Sequence, residues 1–202
     1  MPVCNSQFIE MFGSPTKNLF GYDTVTLKDV ARGSLAYGST SAAVDYDGVT
    51  RYVRITDITD DGRLNEDVKS AAKTEDKYLL SDGDILFART GATVGKTARY
   101  RDEFGRAIYA GFLIRLIPDR EKVLPDYVYH FTRSDYYMDF VKETQRVVAQ
   151  PNINAQEYGD LAILLPPIEK QRAFVDIVEQ SDKSKFDAQI ASNLNLSRCL
   201  VS

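Results

Sequence analysis

Apolar positions change period along the chain and divide it into a strand-like part and a helix-like part. From Val25 to about Pro118 the pattern is that of short strands. Tyr52-Val53-Arg54-Ile55-Thr56-Asp57-Ile58 is rich in alternating β-branched residues, which pack well on a pleated surface. Asp84–Ala88 and Thr97–Tyr100 read as short strands, and the long apolar run Ala107–Ile117 (AIYAGFLIRLI) as a central one. Asp60-Asp61-Gly62 is a turn, and residues 34–50 and 62–77 are expected to be loops.

Pro125 then opens a helix, with Tyr127, Val128, Phe131, Tyr137, Phe140 and Val141 near helical spacing. Asn152–Gln156 is a short helix or turn, Leu161–Leu165 a strand, and Pro166-Pro167 a break. From Ile168 to about Arg198 there is no proline or glycine. Phe174, Ile177, Val178, Phe186, Ile190 and Leu194 form one apolar stripe there, so the segment reads as a single helix. At ~1.5 Å per residue it would be about 45 Å long, more than a small domain can cover, and it is expected to pack on another helix. Asp182 interrupts the stripe, so no heptad is inferred. At the front, residues 6–13 (SQFIEMFG) read as the last turns of a helix stopped by Gly13. Ser197-Arg198-Cys199-Leu200 faintly repeats Ser6-Gln7-Phe8-Ile9.

Composition adds limits. In 202 residues, 44% are hydrophobic, enough for a core in one domain of ordinary size. The net charge of −4 argues mildly against a protein that coats nucleic acid nonspecifically, but allows a local basic face. Cys4 and Cys199 form no CxxC pair, which disfavours a zinc or redox motif. MPVCNS is not followed by an apolar run, so no secretory signal is expected, and no stretch has the ~20 apolar residues of a membrane helix. The cytoplasm is the expected location, and the sequon at Asn195 is read as chance.

The stretch Gly83–Thr97 (GDILFARTGATVGKT) tests for a nucleotide site, because it ends a strand in Gly95-Lys96-Thr97. A phosphate loop needs four residues between its glycines. Gly91 leaves three before Gly95, and Thr90 occupies the required place. The residues after Thr97 are strand-like, whereas phosphate binding wants a helix N-terminus there. The single histidine, His130, lies on an apolar helix and reads as a packed or rim residue. Asp57, Asp60, Asp61 and Gly62 hint at a calcium loop, but Thr59 and Val68 break the pattern. Leu165 before Pro166-Pro167 excludes the Asp/Asn-Pro-Pro-aromatic signature of amino-methyltransferases. No catalytic residue, metal site or cofactor is therefore assigned.

The stretch offers charge instead. Between Gly83 and Arg115 stand Arg89, Lys96, Arg99, Arg101, Arg106 and Arg115, against Asp84, Asp102 and Glu103. Each cation alone is more ordinarily a surface pair. Together they suggest a basic face on an acidic protein, with Arg89, Thr90 and Lys96 able to donate to phosphate where glycines let the backbone approach.

Two groups of residues also carry a resemblance. Gly83-Asp84-Ile85-Leu86-Phe87-Ala88-Arg89-Thr90-Gly91 with Val94-Gly95-Lys96 is one. Gln150-Pro151-Asn152-Ile153-Asn154, followed by Leu164-Leu165-Pro166-Pro167-Ile168-Glu169-Lys170-Gln171, is the other. In this order they resemble the DNA-specificity subunit of type I restriction–modification enzymes, and Tyr52–Ile58 resembles a strand of that family. The resemblance implies two target-recognition domains, each followed by a long helix, the two helices packing antiparallel as a spacer. It implies a non-catalytic subunit that reads a split target in double-stranded DNA. Methyltransferase subunits, and a restriction and translocase subunit, would assemble on it.

This sequence has one such domain and one such helix. The expected class is accordingly α+β, with residues 1–13 the tail of a conserved helix, 14–165 a β-rich recognition domain, and 166–202 a spacer helix. Two copies are expected to pair through the stripe as a homodimer. A truncated remnant or a recombined segment is the alternative, as is an interaction module with a coiled-coil arm and no DNA role. Arg89, Thr90, Lys96, Arg99 and Arg54 are the candidate cations and donors. Tyr37, Ser39, Thr40, Ser41, Arg63 and Asn65, in the two loops, are candidates for reading base edges.

Overall fold

The computed structural model describes the backbone of residues 2–146 and 151–199, and the side chains of 7–145, 151–181 and 183–184. It shows a mixed α and β fold. Helix α1 (Pro2–Phe12) is followed by β1 (Asp23–Thr26), β2 (Ala36–Tyr37), β3 (Ala43–Asp45), β4 (Arg51–Val53) and β5 (Lys69–Ala71). Then come β6 (Ile85–Ala88), β7 (Thr97–Arg99), β8 (Ala107–Tyr109) and β9 (Leu113–Leu116). Helices α2 (Pro125–Phe131), α3 (Asp135–Arg146) and α4 (Ala155–Asp160), strand β10 (Ala162–Leu165) and helix α5 (Ile168–Cys199) complete it.

The central sheet runs β2-β9-β6-β7, antiparallel throughout. Its middle strands are buried on both faces, which is why Ile85–Ala88 reads as a continuous apolar run. Beside it lie a parallel pair, β4 with β8, and two antiparallel pairs, β3 with β5 and β1 with β10. The β1–β10 pair sets Asp23 opposite Leu165 and so ties the start of the domain to its end.

The apolar run Ala107–Ile117 is two strands, not one. Gly111 donates its N–H to Ser39 O, and Leu113 N–H returns to Ala110 O in a tight turn. This turn lets one run supply β8 to the parallel pair and β9 to the central sheet. Both strands are buried, so the run stays apolar across the turn. The alternating segment from Tyr52 similarly stops at Val53. Arg54 and the buried Asp57 clamp a turn: Arg54 N–H donates to Asp57 Oδ2 at 2.9 Å, and its guanidinium meets Asp57 Oδ1 at 2.6 Å. The helix beginning at Pro125 also breaks, into α2 and α3. At the break Thr132 turns its buried hydroxyl onto Thr97 and Tyr129 O, and Ser134 Oγ accepts Tyr137 N–H.

Helix α5 joins the domain through its first three turns. Phe174 is buried, 5.4 Å from the rings of both Phe8 and Phe12 of α1, and Phe12 meets Tyr127 of α2 edge-on at 5.0 Å. Gln171 is fully buried and its amide is fully used. It accepts Leu124 N–H at 2.9 Å and donates to Pro166 O and Lys122 O. That explains a glutamine four residues after the Pro-Pro pair: an apolar residue there would leave Leu124 N–H unpaired in the core. His130 packs its ring on Phe174 at 5.4 Å and is half-buried, so of the packed and rim positions its sequence setting allowed it takes the rim.

Candidate nucleic-acid interface

The stretch that resembles a phosphate loop is a hairpin. Ala88 N–H donates to Lys96 O, and Gly95 N–H to Ala88 O, closing the loop between β6 and β7. Gly95 has φ +84°, and a Cβ there would meet Val141 Cγ1 at 2.5 Å. The glycine is thus required by α3 packed against the loop. No helix follows Lys96, so backbone donors are not gathered around a nucleotide phosphate.

Most cations of this stretch are already neutralised. Lys96 Nζ lies 2.7 Å from Asp60 Oδ1. Arg99, only 11% exposed, sits between Asp126 at 3.2 Å and Asp82 at 3.5 Å. Arg101 reaches Asp126, Arg106 reaches Asp76, and Arg115 reaches Asp84. Burial pushes the Asp84 carboxyl up, against the pull of Ser81 N–H and Arg115. The local excess of positive charge counted along the sequence is therefore largely cancelled by Asp60, Asp76, Asp82 and Asp126, which folding brings in. Arg99 and Arg54, both named as candidate DNA contacts, are structural cations. Arg54 is held by Asp57 and by Asp67 at 2.9 Å.

Arg89 differs. Among the described residues it has no carboxylate within ion-pair distance. Its guanidinium lies over the Tyr37 ring, 4.7 Å from the centroid. Its Nε donates to Asn152 Oδ1 at 3.1 Å. The backbone fixes the same spot: Arg89 N–H donates to Phe112 O, Ile153 N–H to Arg89 O, and Gly91 N–H to Pro151 O. Tyr37 is held in turn, its hydroxyl accepting Ala155 N–H. Thr90 lies half-buried on the same bridge to Asn152. The two segments that carry the resemblance, far apart in sequence, thus meet at one arginine.

The other candidates spread out. Thr40 and Arg63 are exposed, Arg63 beside Asp61 at 3.4 Å. Ser39 is 2% exposed and its hydroxyl accepts Ser41 N–H, so it faces no groove. Ser41 Oγ accepts Lys73 N–H, and the Asn65 amide is spent on Thr56 O and Asp67 N–H. Asp57, Asp60 and Asp61 point to Arg54, Lys96 and Thr59 respectively and do not converge as metal ligands. The two expected loops come together as the β3–β5 ribbon, stitched by Ser70 Oγ to Thr50 O at 2.7 Å. It exposes Val44, Tyr46 and Val49, which sequence reasoning passed over because exposure of an apolar residue has no local signature.

The profile of the type I restriction modification DNA specificity domain matches residues 21–196. The chain belongs to that family. It is 31% identical over 163 residues to the putative type I restriction enzyme MjaX specificity subunit of Methanocaldococcus jannaschii, covering 76% of this chain and 37% of that protein. It is 28% identical over 135 residues to the StySPI specificity subunit of Salmonella potsdam, covering 63% of this chain and 29% of that one. The fold is that of the HsdS subunit from Thermoanaerobacter tengcongensis, with a TM-score of 0.66 at 19% identity over 93% of this chain and 44% of that one. The S subunit from M. genitalium gives 0.61 at 13% identity over 94% and 49%. The chain thus spans less than half the length of the specificity subunits it matches.

In this specificity domain the stripe of α5 divides. Phe174 and Val178 are buried against this chain's own α1 and α2, so the partner helix expected for them is internal. Ile177 is 41% exposed. The side chains of Phe186, Ile190 and Leu194 lie outside the described residues, as do Gln150 and the side chains of the Ser197–Leu200 repeat. No described helix is long and apolar enough to cross a membrane.

Proposed function

We propose that this chain recognises one half of a split DNA target as a half-length specificity subunit, with no chemistry of its own. Residues 14–165 are the recognition domain, 166–202 the spacer, and 1–13 the tail that completes the spacer's first turns. Two copies joined through α5 would match the two-domain span of the longer relatives. Methyltransferase subunits, and a restriction and translocase subunit, would assemble on that dimer. The observation that carries the reading is Arg89. Of the six cations of residues 83–115 it is the one without a carboxylate partner among the described residues, and it sits where the two family segments meet. Lys96 joins it once DNA phosphate displaces Asp60, and Thr90 donates beside them. Thr40, Arg63 and strand β3 of the β3–β5 ribbon are exposed and would supply further contacts to DNA.

The overall acidity is consistent with affinity drawn from the whole assembly, so the isolated chain should bind DNA weakly. The test is a methylome: the chain is expressed with the methyltransferase subunit of its own system in a methylation-free host. A new split motif with inverted-repeat halves is expected. Soluble chain with no new mark would favour the remnant.

A further inference from the structure

Building on the DNA reading above, we propose that Arg89 is a base reader, its free edge presenting a two-pronged donor to the O6/N7 edge of guanine in the major groove. Three observations set this geometry. Tyr37 lies against one side of the guanidinium, whose Cζ sits over the ring 4.7 Å from its centroid. Asn152 Oδ1 occupies Nε, at 3.1 Å. Among the described residues no acceptor occupies either Nη. What remains is the end-on pair of Nη donors.

A phosphate can take the same fork through two oxygens, but its oxygens are tetrahedral and offer such a pair in more than one plane. A guanine edge offers one plane, because both acceptors lie in the plane of the base. The surroundings point the same way. A surface built to grip backbone keeps its cations free, whereas Arg99, Arg101, Arg106 and Arg115 are each paired with a carboxylate. Tyr37 and Asn152 are then positioning residues for Arg89. Tyr37 is itself anchored, its hydroxyl accepting Ala155 N–H at 3.1 Å.

The test uses the full chain with its methyltransferase subunit and duplexes carrying the methylated motif. Each guanine of a half-site is replaced in turn by 7-deazaguanine, which lacks the N7 acceptor but still pairs with cytosine. At one guanine the wild-type complex should lose about tenfold in affinity, within the range of a good bidentate pair. Arg89→Ala and Arg89→Lys should bind the normal and substituted duplexes equally. Arg89→Lys keeps the charge, so its salt dependence should match wild type. Tyr37→Leu should reduce the discrimination while leaving the melting temperature within a few degrees. The proposal is overturned if Arg89→Ala weakens all duplexes alike and flattens the log–log salt slope by about 0.9, the signature of one phosphate contact. It is equally overturned if no guanine position is sensitive in wild type while specific binding persists, a result that leaves the DNA reading intact. A complex that binds no duplex overturns both.

Discussion

Arg89 and Arg99 stand ten residues apart and have opposite surroundings, so their replacement should separate folding from recognition. Arg99→Ala removes a nearly buried cation from between Asp82 and Asp126. Leaving those carboxylates short of a partner should cost about 1–3 kcal/mol of stability, read as a lower thermal midpoint, with DNA affinity per folded molecule unchanged. Arg89→Ala removes no ion pair and should shift stability by less than about 0.5 kcal/mol while weakening DNA binding. If Arg99→Ala instead weakened DNA binding at unchanged stability, the assignment of Arg99 as a structural cation would fail. Lys96 is intermediate. Asp60 sits on it at 2.7 Å yet is itself mostly exposed, so DNA phosphate must compete with a carboxylate that costs little to displace. Asp60→Asn should therefore raise DNA affinity by about two- to fivefold at low salt, the effect of an exposed pair, and should do nothing further in a Lys96→Ala background.

At the scale of elements, the glycine hairpin and the ribbon can be tested separately. Gly95→Ala puts a Cβ at φ +84° against Val141, and both strain and clash should lower the stability by about 1–3 kcal/mol. Gly91→Ala has the strain without the clash, since nothing lies within 4 Å, and should cost less in the same melting experiment. The ribbon and its turns depend on ionised carboxylates. Thr50 and Val49 N–H groups hold Asp47 below its ordinary value, the Thr59 hydroxyl does so for Asp61, and Arg54 for Asp67. Carboxyls depressed in the folded state stabilise it fully above the unfolded value and lose that contribution as pH falls through the folded one. Amide resonances of residues 45–70 should thus be stable from pH 7 to 5 and broaden first below about pH 4. Broadening that began near pH 6 would point to a different group. These elements also show what a sequence conveys. The long helix from Ile168, the hairpin strand at Ile85 and the strand after Leu161 were legible, because period and proline breaks are local. The split of Ala107–Ile117 was not, since a run buried in two sheets looks like a run buried in one. The neutralised cations were not legible either: Asp126 reaches Arg99 only through the packing of α2 on β7.

At the scale of the whole molecule, the arrangement of α5 bears on the number of copies. The buried side chains described along it are Gln171, Phe174 and Val178, all in its first three turns, while the helix itself continues to Cys199. Among the described side chains beyond Val178, those of residues 179–181, 183 and 184, none is buried, so this part of the 32-residue helix adds nothing to the core of the domain. Phe186, Ile190 and Leu194 continue the apolar spacing beyond it. A lone helix of that length gains little from propensity and needs a packed face to persist. Ending the chain after residue 182 should leave the thermal midpoint within a few degrees of the full chain. It should also convert a concentration-dependent dimer into a monomer in sedimentation velocity. Ile190→Asp should do the same without shortening the chain. If both variants remained dimeric, the contact would lie elsewhere; if the full chain stayed monomeric at high concentration, two copies would not supply the spacer. Dimerisation through α5 has a consequence for the DNA. Two identical domains related by a twofold axis can read only halves related by the same axis, so the methylated motif should be an inverted repeat around a fixed gap. Adding or removing one base pair in that gap should abolish methylation, and an asymmetric motif would require a second, different recognition domain in the assembly.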